Sequence, residues 1–412
     1  MIKCFGLILL MLASTASFAQ QKDLNHYIKE GIANSPLLKD LKNQAKSNTI
    51  DSLRIIASYK PQINAQSSNS YAPTYNDWGY ESAITNGANF SELLAVNKRL
   101  VSKENLHNQY QAIELQNKSL ATTGKISQQD IKKAITAQYI TAYGSQQQVL
   151  FNKEMLKLLE KEEKILKTLT EKNVYRQTDY LSFLVTKQQQ ALAVTQIKLQ
   201  FQNDLASLNY LSGIVDTSFT TLIAPIIEPK PVNEIETTVF YEPFKIDSLK
   251  LVNNDALIEF NYKPKVSLYA DAGNISTFAV DPYKNFGTSV GINITMPIYD
   301  GKQKKMQHDK NAIAHNTISN YETYFKSQYA QQIAQLVQQL NLTQQLITEA
   351  TEQLKYSDAL IEANSKLLVI GDVHIADYIL ALSNYLSVKN SITQNTINRL
   401  QIINQINYWN RE

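Results

Sequence analysis

Tyr59-Lys60-Pro61-Gln62-Ile63 recurs as Tyr262-Lys263-Pro264-Lys265-Val266, 203 positions further on. Asp179-Tyr180-Leu181, with Leu184 after it, recurs as Asp377-Tyr378-Ile379 with Leu382, at an offset of 198. Lys103 lies 70 residues before Asn173, and Gly301 lies 70 before Gly371. Both long stretches lack proline and read as unbroken helix. At 1.5 Å per residue each would run for about 105 Å. A unit of extended segment, very long helix, tight turn and return helix cannot bury a compact core by itself. Repeats of this kind are completed by stacking against neighbours. The duplication therefore predicts a symmetric assembly around an axis, and a conduit rather than an enzyme.

Around these phrases the pattern is regular. Residues 22–58 read as helix from the spacing of Leu24, Tyr27, Ile28, Ile32, Leu37, Leu38 and Leu41, broken once by Pro36. Pro61 opens an extended stretch whose alternation fades after Ala65, and a weaker strand is expected near residues 89–101. Residues 102–172 and 179–212 form the first helical hairpin, which Gly213 ends. Residues 214–243 hold four of the ten prolines, yet Leu222, Ile223, Ile226, Ile227, Val239, Phe240 and Tyr241 are too apolar for a solvated tether. A packed irregular belt is expected there. A shorter helix, about 246–260, opens the second copy. Val266, Leu268, Ala270 and Ala272, then Phe286, Thr288, Val290, Ile292, Ile294, Met296 and Ile298, alternate with small or polar residues. That pattern suits a transmembrane barrel strand and equally a half-buried strand of a soluble sandwich. Asp300-Gly301 turns the chain into the second long helix, and the last helix covers about 375–408.

Composition narrows the function. Residues 1–19 read as a secretion signal: Lys3, an apolar stretch from Gly6 to Leu12, and Ser17-Phe18-Ala19 before an expected mature start at Gln20. The single cysteine, Cys4, lies inside it, so neither disulfide nor thiolate chemistry, nor an acyl anchor, is expected in the mature chain. The whole chain carries 40 basic and 37 acidic residues. Losing Lys3 leaves a net charge of about +2, which does not suggest nucleic acid. With no apolar run of 18 residues, a closed β-barrel is the remaining way across a membrane. Four strands cannot close one, but three chains supply twelve. The fold class expected is mainly α with a small β part: duplicated long helical hairpins plus four strands per protomer. A homotrimer would complete these into a 12-strand β-barrel and an α-helical barrel. The expected division is a signal peptide over 1–19, a first repeat over 20–213, an irregular linker over 214–243 and a second repeat over 244–412.

The Tyr-Lys-Pro openings, the phrase Met296-Pro297-Ile298-Tyr299-Asp300-Gly301 and the turn running from Gly371 through Asp377 to Leu382 together resemble the TolC-like outer-membrane efflux proteins. The resemblance spans nearly the whole mature chain. It implies a passive homotrimeric duct, a barrel among outer-membrane lipid above a periplasmic helical tunnel. A periplasmic adaptor protein and an inner-membrane transporter would open it at its coiled-coil tips. No cofactor and no covalent chemistry are implied. The competing expectation is a secreted periplasmic scaffold or adaptor whose strands form a soluble lid.

Asn173 and Gly371 end the long helices and suit the left-handed backbone of a tight reversal. Asp179 and Asp377 follow, where a carboxylate can satisfy free N–H groups of a helix start. In a trimer each would also appear three times around the axis, forming a cation-attracting ring. The resemblance places the constriction aspartate at Asp377, with Asp372, Arg176 and His374 beside it. A second such position falls on Leu380. The tyrosine and arginine that in some relatives hold the Asp179 position are replaced by Leu368 and Val373, leaving Arg176 and His374 as candidates for that lock. No metal site is expected: His26, His107, His308, His315 and His374 are scattered and read as solvated surface groups. No phosphate loop or serine elbow is present.

Overall fold

The computed structural model describes residues 22–81, 87–277 and 281–410. The signal-peptide expectation and Cys4 lie outside the described residues. Helices α1 (Leu24–Asn34) and α2 (Pro36–Ser58) are followed by strands β1 (Gln62–Tyr71) and β2 (Ala88–Leu100). The first hairpin is α3 (Lys103–Glu171) and α4 (Gln177–Ser212). Beyond the linker come α5 (Glu242–Asn261), β3 (Lys265–Ser276), β4 (Phe286–Thr295), and a second hairpin of α6 (Gln303–Ile370) and α7 (Ile375–Trp409). The copies agree closely: α3 and α6 have 69 and 68 residues, α4 and α7 have 36 and 35. No helix among the described residues is long and apolar enough to cross a membrane.

Local chemistry explains the boundaries. Ser35 accepts the Leu38 N–H and Pro36 occupies the first position of α2, where a missing donor costs nothing. Helix α5 begins at Glu242, four residues before the periodicity indicates. Pro243 sits in its first turn rather than in the linker, for the same reason. Strand β4 ends at Thr295, short of Ile298, because Pro297 cannot donate to a ladder. Strand β1 keeps its pairing to Tyr71, beyond the fading of its own pattern, because the β2 ladder holds it.

Two compact units each draw segments from both repeats. One contains residues 40–124 and 241–325 and holds the antiparallel sheet, ordered β1-β2-β3-β4. Its register puts Ile63, Val96, Ala270 and Val290 in one cross-strand row. Lys98, Leu268 and Ile292 form the next row, and Leu100, Val266 and Ile294 the one after. This apolar face is uncovered: Val290 is 82% exposed and Ile292 65%. The opposite face carries Gln62, Asn97, Tyr269 and Asp271. There Gly291 leaves room for the Tyr269 ring, which a β-carbon would meet at 2.5 Å. The repeated tyrosines tie the strand starts to the long helices. Tyr59 accepts from Gln109 Nε2 at 2.7 Å, and Tyr262 bonds the Asp300 carboxylate. His308 is not a merely solvated group. Its ring nitrogens meet Asp255 at 2.8 Å and Glu259 at 3.0 Å on α5, and these neighbours raise its pKa.

The other unit contains residues 22–39, 125–240 and 326–410 of those described. Tyr27 of α1, Ile135, Tyr139 and Ala142 of α3, Phe201, Leu205 and Leu208 of α4, and Leu222 of the linker form one buried cluster. The linker is pinned by side chains that imitate a strand partner. Gln146 both donates to and accepts from the Leu222 backbone. Asn407 does the same with Glu228 and Lys230. The belt is packed, as its apolar content suggests.

Candidate functional site

The two helical turns form the candidate site. At Asn173 (φ 58°) the Asn173 N–H donates to Thr170 O and the Val174 N–H to Leu169 O. At Gly371 (φ 79°) the Gly371 N–H donates to Leu368 O and the Asp372 N–H to Leu367 O. Both are Schellman closures, satisfying helix-end carbonyls through one left-handed residue. The turns lie against each other: a β-carbon on Gly371 would come within 2.5 Å of the Val174 side chain. Behind them, residues from all four hairpin helices share one apolar cluster that includes Leu159, Leu166, Phe183, Leu368, Tyr378 and Leu382. Ser365 of α6 donates to the buried Glu162 of α3 at 2.8 Å. Lys187 of α4 pairs with Glu163 of α3 at 2.7 Å.

A cleft of about 410 Å³ separates the turns, lined by residues 174–176, Asp179 and residues 371–374. It brings together Asp179, Asp372, Arg176 and His374; Asp377 stands apart from its lining. Asp179, half-buried, accepts the Arg176 backbone N–H at 3.3 Å and so serves as a helix-start group. Asp372 and Asp377 are exposed, and the Asp377 carboxylate has no bonded partner among the described residues. The lock candidates are not engaged within the protomer: among the described residues neither Arg176 nor His374 forms an ion pair with any of the three aspartates. Leu368 is fully buried and Val373 packs beside it, so both replaced lock positions belong to the apolar cluster.

A different tie joins the turns, one that the sequence reasoning missed. Tyr175, 9% exposed, donates its hydroxyl to Leu368 O at 3.3 Å. Burial raises its pKa, so it remains a donor at neutral pH. The available signal was the divergence of the copies. At the 198-residue offset Tyr175 matches Val373, the second of two differences, after Val174 against Asp372, that follow the paired turn residues Asn173 and Gly371.

No family model matches this sequence, and no curated protein matches it significantly. Solved structures do match in three dimensions. The outer-membrane channel OprN superposes with a TM-score of 0.74 at 12% identity, over 94% of this chain and 89% of its own. The channel-forming protein CusC gives 0.74 at 12%, over 96% of each chain. The chain has the TolC-like fold. The Campylobacter jejuni CmeC outer membrane channel agrees, at 0.72 and 13%, over 94% of this chain and 85% of that one. Within the TolC-like fold, the duplicated hairpins and the four-stranded sheet found here are the contribution of one protomer.

Proposed function

We propose that this chain is one third of a passive outer-membrane efflux duct, closed at its helical turns and without catalytic chemistry. The observation that carries this is the sheet. Its apolar face is exposed, and its edge strands β1 and β4 have no strand partner on their outer sides among the described residues. In water such a sheet is an aggregation site. Pairing β4 of one copy with β1 of the next removes both edges, and three copies give twelve strands. Lipid then covers the Val290–Ile292 face and water the Tyr269–Asp271 face. The fold shared with OprN, CusC and CmeC supports the same assignment. By this account the helical part lies in the periplasm, where an adaptor protein and an inner-membrane transporter engage the turns. Asp377, Asp179 and Asp372 recur three times around the mouth as a cation-attracting constriction. The pinned linker supports the expected boundary between the repeats.

Native mass measurement of protein extracted from outer membranes tests the proposal. A detergent-dependent trimer is the expected result. A monomer stable in aqueous buffer, absent from the membrane fraction, would overturn it and favour a secreted scaffold.

A further inference from the structure

The polar face of the sheet has an uneven charge distribution that a water-filled duct does not by itself require. Arg99 of β2 pairs with Ser267, and Lys265 lies two residues along β3 from that partner. The two cations therefore share a face at diagonal positions, within reach of each other. Both are exposed, and neither has a side-chain partner among the described residues. By contrast Lys263 reaches Glu104 at 3.5 Å and Lys304 reaches Glu259 at 2.8 Å, while Lys98, next to Arg99, lies on the opposite face of the sheet. The one acid on the polar face of the four described strands is Asp271, six residues beyond Lys265. That is roughly 20 Å along the strand, and Ser289 already donates to its carboxylate at 2.7 Å. Glu92 is on the opposite face, bonded to Ser67. Tyr269 adds a partly exposed ring two residues from Ser267, held over Gly291.

Two like charges at adjacent positions repel, and a multivalent anion between them relieves that repulsion. Resting on the duct proposed above, which makes this face the pore wall, we infer that the Arg99–Lys265 end of the sheet is an anion-binding ring. It takes solutes bearing multivalent oxyanions, such as phosphate or polycarboxylate groups. Three copies bring six unneutralised cations to one level of the pore, the arrangement that selects anions. The aspartates of the helical turns carry the opposite sign.

The test is block of the full-length protein in planar bilayers by inositol hexakisphosphate, added from the side of the sheet's loops. Block of the wild-type channel is expected, strong in dilute KCl and weak near molar salt, because exposed charges are screened. The half-blocking concentration should rise about tenfold or more in the Arg99→Gln, Lys265→Gln double variant, a loss of about 1.4 kcal/mol. Each single variant should give an intermediate shift, which preserves the comparison if the double variant fails to insert. A conducting channel that inositol hexakisphosphate does not block, or blocks equally in wild type and variants, would overturn the anion ring while leaving the duct intact. Failure of the wild type to appear in the outer-membrane fraction as a trimer would overturn both.

Discussion

Removing one hydroxyl tests whether the two helical turns are latched to each other. Tyr175 of the first turn donates to Leu368 O, in the last turn of α6. Tyr175→Phe keeps the buried ring and therefore its packing. The Leu368 carbonyl still accepts from the Gly371 N–H at 3.2 Å, so no buried acceptor is orphaned. The loss is one neutral hydrogen bond, and at 3.3 Å a long one, so about 0.5–1 kcal/mol is expected. At 1.36 kcal/mol per factor of ten, the ratio of open to closed turns should rise roughly two- to fivefold per protomer, and from about tenfold to about a hundredfold where the three turns of a trimer open together. Single-channel recording in planar bilayers measures that ratio directly, and thermal unfolding of the same sample should change little. Because burial raises the hydroxyl's pKa, the effect should be the same at pH 6 and pH 8. An open probability identical to wild type would refute the latch. So would a global destabilisation of several kcal/mol, since the tyrosine would then be serving the cluster rather than the turns.

Three other perturbations have defined outcomes. Asp377→Ala, at a carboxylate without a bonded partner, should leave the melting temperature unchanged while raising conductance and weakening block by multivalent cations; Asp179→Ala should also cost about 1 kcal/mol, because it removes a helix-start acceptor. Asp255 and then Glu259 raise the pKa of His308, so the imidazolium clamp contributes fully below about pH 6.5 and is lost as pH rises through the elevated folded value. Wild-type thermal stability should therefore fall from pH 6 to pH 8.5 by more than that of His308→Gln, and parallel pH profiles would disprove the clamp. Gly273→Ala places a β-carbon 1.9 Å from the Glu92 carbonyl oxygen, which must force β2 and β3 apart; the measurement is recovery of folded protein in the outer-membrane fraction, expected to be largely lost.

The architecture was legible because two kinds of signal agreed. The duplicated phrases set the order of elements, and the absence of proline over 70 residues set the helix length. Short-range patterning did less well where a neighbouring strand supplies the order. Strand β1 is polar from Gln66 onward, apart from Tyr71, and only its ladder with β2 reveals it as a strand. His308 looked like a surface residue because its carboxylate partners are some fifty positions away. The turns show the same limit. Asn173 and Gly371 betray themselves by backbone preference, which is local. Tyr175 acts through a carbonyl 193 residues away, and nothing local marks it.

Divergence between the copies therefore carries information that the duplication alone does not. Where the two repeats keep the same residue type, as at Asp179 and Asp377, neither carboxylate reaches across to the other turn, and only Asp179 bonds its own helix start. Where they part, as at Tyr175 and Val373, one copy can reach across to the other. The tie at the turns is accordingly one-sided: the first turn donates and the second hairpin accepts. A symmetric pair of locks would release only when both broke. The bond is a single one of about 1 kcal/mol, set on a shared apolar cluster in which Leu368 and Tyr378 are fully buried. In a trimer three such bonds, rather than six, would oppose the opening of the mouth.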